Sequence, residues 1–286
     1  MLRAPAVAAT AIALAGPRTP DAETKIRREG IAIMMVVDTS GSMEARDLVR
    51  GDVSVNRLAV VKDVFRDFVL GEETGAGKGR PDDLIGLIAF AGYADSLCPL
   101  TLDHGNLTSM VEDLRIGRDR EENRTALGDA LALAVERLRR NRSKSKVVLL
   151  LTDGVNNAGA IAPEQAAGLA ASHGVKVYCI GAGTDGVAPM PMVNRNTGRV
   201  TLGRMVVKID EQVLKTIASK TGGKYFRAVD KESLRRIYAE IDRLERTKVT
   251  ELRYLQYTEH YAAFVWAALI LIAVAGIAEG TIFRRL

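Results

Sequence analysis

The chain has 286 residues, 47% hydrophobic and 26% charged. That is ample material for a buried core, and it excludes intrinsic disorder, collagen-like repeats and low complexity. Two cysteines and three histidines rule out a disulfide scaffold and a four-thiolate zinc site, and a net charge of +5 spread along the chain does not by itself point to nucleic acid.

In chain order, Ala4 to Pro17 is an apolar stretch between Arg3 and Arg18. It is short for a membrane span. It reads either as the apolar region of a signal peptide, with Ala13-Leu14-Ala15 as a cleavage triplet, or as the tail of a truncated span. From about Gly30 to Thr247 strands and helices alternate. Ile31–Val37 is a continuous apolar run, the mark of a strand covered on both faces. A helix follows over Arg57–Leu70, with an apolar stripe at Leu58, Val61, Phe65, Phe68 and Val69. Leu84–Ala91 is a second buried strand, and Ser96–Leu100 a short edge strand ending at Pro99. The pattern predicts helices over Leu107–Leu114, Leu127–Arg140 and Pro163–Ser172, and strands over Val147–Leu151 and Val175–Ile180. Met190–Val207, with Asn196-Thr197-Gly198 inside it, predicts an inserted hairpin. A helix over Glu211–Lys220, a strand over Lys224–Val229 and a helix over Lys231–Arg246 complete this part. Strands alternating with helices of this length imply an α/β fold with a doubly wound, mostly parallel sheet flanked by helices.

Tyr261–Ala278 contains no charge. At ~1.5 Å per residue it reaches roughly 27 Å, close to the ~30 Å hydrocarbon thickness. Tyr257, Tyr261 and Trp266 mark one end and Arg284 and Arg285 the other, the arrangement of a transmembrane helix with a cytoplasmic tail. The expected organisation is an apolar N-terminal segment (1–18), an α/β domain (30–247) with its hairpin at about 188–208, a juxtamembrane linker (248–259) and a transmembrane helix (260–283). The domain then faces the periplasm or the exterior of a cell whose inner membrane holds the helix.

Ligands of doubly wound sheets sit beyond the carboxyl ends of the strands, and three segments there carry chemistry. Asp38-Thr39-Ser40-Gly41-Ser42-Met43 follows the first strand, Thr152-Asp153-Gly154 follows VVLLL, and Thr125 precedes the helix at Leu127. Taken singly, they read as helix caps and turns. Together they offer two carboxylates and three hydroxyls without His or Cys, a set that selects Mg²⁺ or Mn²⁺ over Zn²⁺. Two carboxylates ~4 Å apart repel by about 4 kcal/mol at an effective dielectric near 20, and a divalent ion removes that repulsion.

The DxSxS of Asp38, Ser40 and Ser42, with Thr125 and Asp153, resembles the metal-ion-dependent adhesion site (MIDAS) of the von Willebrand factor A domain. The wider text is similar to membrane-anchored A-domain proteins of bacterial aerotolerance (Bat-type) operons, through Cys98-Pro99-Leu100-Thr101-Leu102-Asp103, Gly128-Asp129-Ala130-Leu131 and Thr221-Gly222-Gly223-Lys224-Tyr225-Phe226. The resemblance implies a six-stranded sheet in order 3-2-1-4-5-6. It also implies a metal held by Ser40, Ser42 and Thr125, directly or through water, with Asp38 and Asp153 holding its waters or supporting it from outside. A partner protein's carboxylate takes the remaining position. Sister membrane A-domain proteins and a MoxR-type AAA+ ATPase are the implied partners, with no nucleic acid. The other readings are a subunit of a chelatase-type assembly, or a structural membrane scaffold with a degenerate metal site.

Catalysis is not expected. An aspartyl-phosphate enzyme needs an Asp where Ser40 stands, and no Gly-x-Ser-x-Gly elbow surrounds Ser40 or Ser42. Gly75-Ala76-Gly77-Lys78-Gly79 lacks the Ser/Thr of a phosphate loop. Gly181-Ala182-Gly183-Thr184-Asp185-Gly186 matches GxGxxG, but Pro189 and Pro191 follow in place of a helix. Arg137–Lys146 reads as a solvated basic helix end, Cys98 and Cys179 as small buried apolar residues, and Glu279 as an interfacial residue.

Overall fold

The computed structural model describes residues 3–20, 25–28, 30–49, 51–71, 79–117, 124–153, 155–184, 186–193, 200–207, 209–246, 251–254 and 257–281. The chain forms two compact units, Glu29–Thr250 and a second built from Met1–Arg28 with Glu251–Leu286.

The chain begins with α1 (Arg3–Leu14), β1 (Arg18–Pro20) and β2 (Lys25–Arg28). The large unit then runs β3 (Ala32–Asp38), a 3₁₀ turn (Gly41–Glu44), α2 (Arg57–Leu70), β4 (Leu84–Phe90), β5 (Ala94–Thr101), α3 (His104–Glu112) and α4 (Leu127–Arg139). It continues with β6 (Lys146–Thr152), α5 (Pro163–Ser172), β7 (Lys176–Ala182), the hairpin β8 (Gly186–Val193) and β9 (Val200–Val207), α6 (Glu211–Thr221), β10 (Tyr225–Ala228) and α7 (Lys231–Arg246). β11 (Glu251–Tyr254), β12 (Tyr257–Glu259) and α8 (Tyr261–Thr281) close the chain.

Six strands form one sheet in the order β10-β7-β6-β3-β4-β5. This is the implied order 3-2-1-4-5-6, parallel throughout except for the β4–β5 pair. Every residue of β3 is buried, and the strand's alternation distributes them between two cores. Ile33, Met35 and Val37 pack with α2, α3 and α7 through Leu58, Phe65, Leu107 and Leu234. Ala32, Met34 and Val36 pack on the other face with α4, α5 and α6 through Leu131, Ala167 and Leu214. A continuous apolar run is thus the expected text of a strand with helices on both sides.

Three boundaries differ from the pattern-based reading. Helix α3 starts at His104, because Asp103 caps it by accepting from Asn106 N at 3.0 Å. Strand β5 runs through Pro99 to Thr101, tolerated because it is the sheet edge. The hairpin starts at Gly186, and the expected turn residues Asn196-Thr197-Gly198 lie outside the described residues, as do Gly154 and residues 72–78. The hairpin otherwise pairs antiparallel, Gly186 opposite Val207 and Val193 opposite Val200.

In the smaller unit, α1 lies against α8. The stretch read as a linker contains two strands, β11 paired antiparallel with β2 and β12 with β1. His260 N donates to Pro17 O at 3.0 Å. Side chains of α8 are described from Tyr261 to Ile277, about 26 Å of helix. Among the described residues no helix is long and apolar enough to cross a membrane, so the expected span is not established by the fold. Along that length Trp266, Leu269, Ile270, Ile272 and Ile277 leave apolar surface exposed.

Candidate metal centre

Asp38 is the last residue of β3. It stands level with Phe90 at the end of β4, and Val37 stands level with Leu151, one residue before Thr152. From β3 the chain winds outward to β4 and β5, then returns to β6 on the other side. The carboxyl ends of β3 and β6 therefore flank the reversal, where the two halves of the sheet leave a crevice.

Asp38 is fully buried, with both oxygens in use. Oδ1 accepts from Ser40 N at 2.8 Å, and Oδ2 accepts from Thr152 Oγ1 at 2.7 Å. The first bond bends the chain sharply after the strand and leads into the 3₁₀ turn, whose Met43 is buried. That turn brings Ser40 Oγ within 2.9 Å of Ser42 Oγ, and the Ser42 hydroxyl donates to Asp153. One connected set of oxygens thus runs Thr152–Asp38–Ser40–Ser42–Asp153. Ser40 and Asp153 are also buried.

Burial, then the neighbouring charge of Asp153, pushes Asp38 up to about 7, against the opposing hydrogen bonds from Ser40 and Thr152. Burial raises Asp153 as well, opposed by the Ser42 hydroxyl and the Arg57 guanidinium. Desolvation disfavours the charged form of each, and two nearby carboxylates disfavour it further. The side chains bridging the two carboxylates are the hydroxyls of Ser40 and Ser42, and Asp153 has the Arg57 guanidinium 3.6 Å away in addition. Among the described residues no group of three or more His, Cys, Asp or Glu is placed to hold a metal ion without other ligands. A hard divalent cation fits this donor set.

Thr125 reaches the same corner by its backbone. Ala126 N donates to Ala91 O at 2.6 Å, just beyond Phe90. Thr125 N donates to Asn157 Oδ1 at 2.8 Å, and Leu127 N donates to Asn156 Oδ1 at 2.9 Å. Asn157 N and Ala158 N both donate to Thr125 O. The loop after β6, which carries Asp153, is thereby locked to the loop that carries Thr125. Asp129 adds to the lock by accepting from Ala160 N and Ile161 N. Sequence reasoning missed Asn156, Asn157 and Asp129 as positioning residues. The one signal for them was a run of turn-forming side chains directly after a strand.

Two glycines of the apparent dinucleotide motif have packing roles instead. A Cβ on Gly181 would lie 2.9 Å from Tyr225 Oη, and a Cβ on Gly183 would lie 2.2 Å from Arg57 Nη2. Gly183 also has φ +129°, a backbone that favours glycine. Cys98 and Cys179 are buried and unpaired, as expected. His104 and His173 lie toward the amino ends of β4 and β7, away from this corner. His104 Nε2 lies 3.0 Å from Asp83 O, and His173 ends α5. A cavity of about 500 Å³ opens beside Thr39, lined by Phe90, Tyr93, Leu97, Met110 and Ile116.

A doubly wound sheet with buried carboxylates and serine hydroxyls gathered at its reversal is an A-domain architecture. The chain belongs to the von Willebrand factor type A domain family, whose profile matches residues 32–240. An uncharacterized protein of Borreliella burgdorferi is 31% identical over 218 residues, covering 76% of this chain and 60% of its own length. A UPF0353 protein of Mycobacterium sp. (strain KMS) is 28% identical over 246 residues, covering 80% and 64%. The chain thus spans under two thirds of the length of these relatives. Among solved structures, BatB from Bacteroides thetaiotaomicron matches with a TM-score of 0.60 at 25% identity, covering 76% of this chain and 100% of that one. An aerotolerance-related membrane protein from Bacteroides fragilis matches with a TM-score of 0.57 at 26% identity, covering 74% and 98%. Proximal thread matrix protein 1 from the mussel byssus, solved with a zinc-occupied MIDAS motif, shares the fold with a TM-score of 0.53 at 22% identity, covering 76% and 46%.

Proposed function

We propose that this chain is a membrane-tethered, metal-dependent protein-binding module without enzymatic activity. Ser40, Ser42 and Thr125 hold Mg²⁺ or Mn²⁺, directly or through water, and Asp38 and Asp153 supply the negative charge around it. The ion contributes one thing, an electrophilic position that takes up an acidic side chain of a partner. The chain's residues do the rest. Asp38 fixes the Ser40 backbone, the Asn156 and Asn157 side chains fix the Thr125 loop, and the burial of both carboxylates keeps bulk water from screening their charge. The observation that carries this reading is the pair of buried carboxylates, both raised by desolvation, joined through the Ser40–Ser42 hydroxyls. The cavity beside Thr39 offers apolar area for the partner residues flanking that acid.

The membrane tether rests on α8, whose exposed apolar side chains need apolar surroundings, and on the Bacteroides fragilis neighbour described as a membrane protein. The domain then faces the periplasm. Sister membrane A-domain proteins and a MoxR-type AAA+ ATPase are the proposed partners. The zinc-bearing matrix protein of the same fold supports a divalent ion in such a site, and the all-oxygen donors here favour Mg²⁺ or Mn²⁺. The test is thermal unfolding of the purified chain with and without Mg²⁺. Binding at 100 times Kd stabilises by ~2.7 kcal/mol, roughly 5–10 °C for a domain of this size. An Asp38→Ala variant that responds like the parent refutes the site. Capture of partners from native membranes that is indifferent to chelator refutes the metal-dependent mode of binding.

A further inference from the structure

Beneath the site lies a charged group that the metal-binding reading leaves unexplained. Arg57, the first residue of α2, has no solvent exposure at all. Burying a guanidinium is costly unless its donors are satisfied, and Asp47 satisfies one side of it. Arg57 Nε donates to Asp47 Oδ1 at 2.7 Å, and Nη2 donates to Oδ2 at 2.6 Å. Asp47 has further donors in Thr184, whose N and Oγ1 both lie 2.9 Å from Oδ2. Gly183 leaves the space the guanidinium occupies, since a Cβ there would lie 2.3 Å from Arg57 Cζ. The remaining donor, Nη1, has no hydrogen-bond partner among the described residues, and it stands 3.6 Å from Asp153 Oδ2.

Resting on the metal-binding reading above, we infer that Arg57 is an internal counter-cation of the metal site: its buried guanidinium, oriented by Asp47, holds Asp153 in the metal-free protein and competes with the divalent ion for that carboxylate. A fixed positive charge this close to Asp153 repels an incoming cation, and in a buried setting that repulsion is weakly screened. Arg57 is therefore a positioning residue that sets affinity. The same fork ties Asp153 to Thr184 and so to the loop leading into the β8–β9 hairpin, placing one buried cation between the metal site and that insertion.

The test compares the full chain with Arg57→Gln, Arg57→Lys and the Asp47→Asn/Arg57→Gln double variant, by Mg²⁺ calorimetry and by melting in chelator and in saturating Mg²⁺. The double variant removes the orphaned Asp47 charge, so the question stays answerable if Arg57→Gln alone does not fold. The expected result is Mg²⁺ binding at least tenfold tighter in the Gln variants and within about threefold of the parent in Arg57→Lys, which keeps the charge. Melting of the Gln variants should fall more in chelator than in Mg²⁺, because the ion replaces the missing cation. Gln variants that bind Mg²⁺ as weakly as the parent, or lose equal stability in both conditions, overturn the inference and leave the metal reading standing. A parent chain that binds no Mg²⁺ overturns the metal reading, and the inference falls with it.

Discussion

Replacing Asp38 with Asn separates the cost of the buried carboxylate from its use. Asn has the same shape. Its Oδ1 can keep the bond from Ser40 N, and its Nδ2 can donate to Thr152 Oγ1, which needs only to turn its hydroxyl. The hydrogen bonds at 2.8 and 2.7 Å therefore survive in number. What disappears is a charge that burial and Asp153 make unfavourable, enough to push the carboxyl from 3.8 to about 7. Each tenfold in proton affinity is worth ~1.4 kcal/mol, so the ceiling on this cost is about 4 kcal/mol above pH 7. A folded-state value above the unfolded one means that the native state holds a proton the unfolded chain has released. The metal-free parent accordingly loses stability as pH rises from about 4 to about 7, by the linkage between proton binding and folding. Asp38→Asn escapes that loss. In chelator the two proteins should melt together near pH 4, and the variant should melt higher at pH 8, by at most about 8–16 °C at ~2–4 °C per kcal/mol. In Mg²⁺ the order should narrow or reverse, because only the parent gains from the ion. Scanning calorimetry at both pH values, with and without Mg²⁺, decides it. A variant less stable than the parent in chelator at pH 8, or one still stabilised by Mg²⁺, refutes the argument that Asp38 is a strained carboxylate waiting for a cation.

Mg²⁺ affinity should weaken by up to about tenfold per pH unit below about 7, since the Asp38 proton must leave when the ion enters; a flat calorimetric profile from pH 6 to 8 contradicts this. Asn156→Ala strips the acceptor from Leu127 N and should cost ~1–2 kcal/mol in urea unfolding, whereas Asn156→Asp, which keeps an acceptor, should cost less. Gly128→Ala should destabilise by about 3 kcal/mol or more, because the new Cβ would lie 1.9 Å from Ile161 O and both partners are backbone. Finally, the whole chain should sediment with membranes through an alkaline wash and a chain ended after residue 250 should not; equal release of the two removes the tether from the proposal.

The fold class was legible in the sequence alone, and so was the turn that carries Asp38, Ser40 and Ser42. Both are written in local text. A strand buried on two faces reads as a continuous apolar run, as Ala32–Val37 does, and a helix with one buried side must repeat every three or four residues, as α2 does. The A-domain motif is readable because Asp38, Ser40 and Ser42 sit on one tight turn, where spacing along the chain is already spacing in space. Only the tertiary structure decided what depends on meetings between distant segments. Asn156 and Asn157 look like ordinary turn residues until the register of β3, β4 and β6 brings their loop against Thr125. The glycines at 181 and 183 look like a nucleotide loop until Tyr225 and Arg57 occupy the space beside them. In the sequence Arg57 is only the start of a helix, and its burial follows from Asp47, ten residues earlier, and Gly183, more than a hundred later. Short-range rules carry no information about which charge ends up beneath another, because that depends on how the finished sheet folds its loops together.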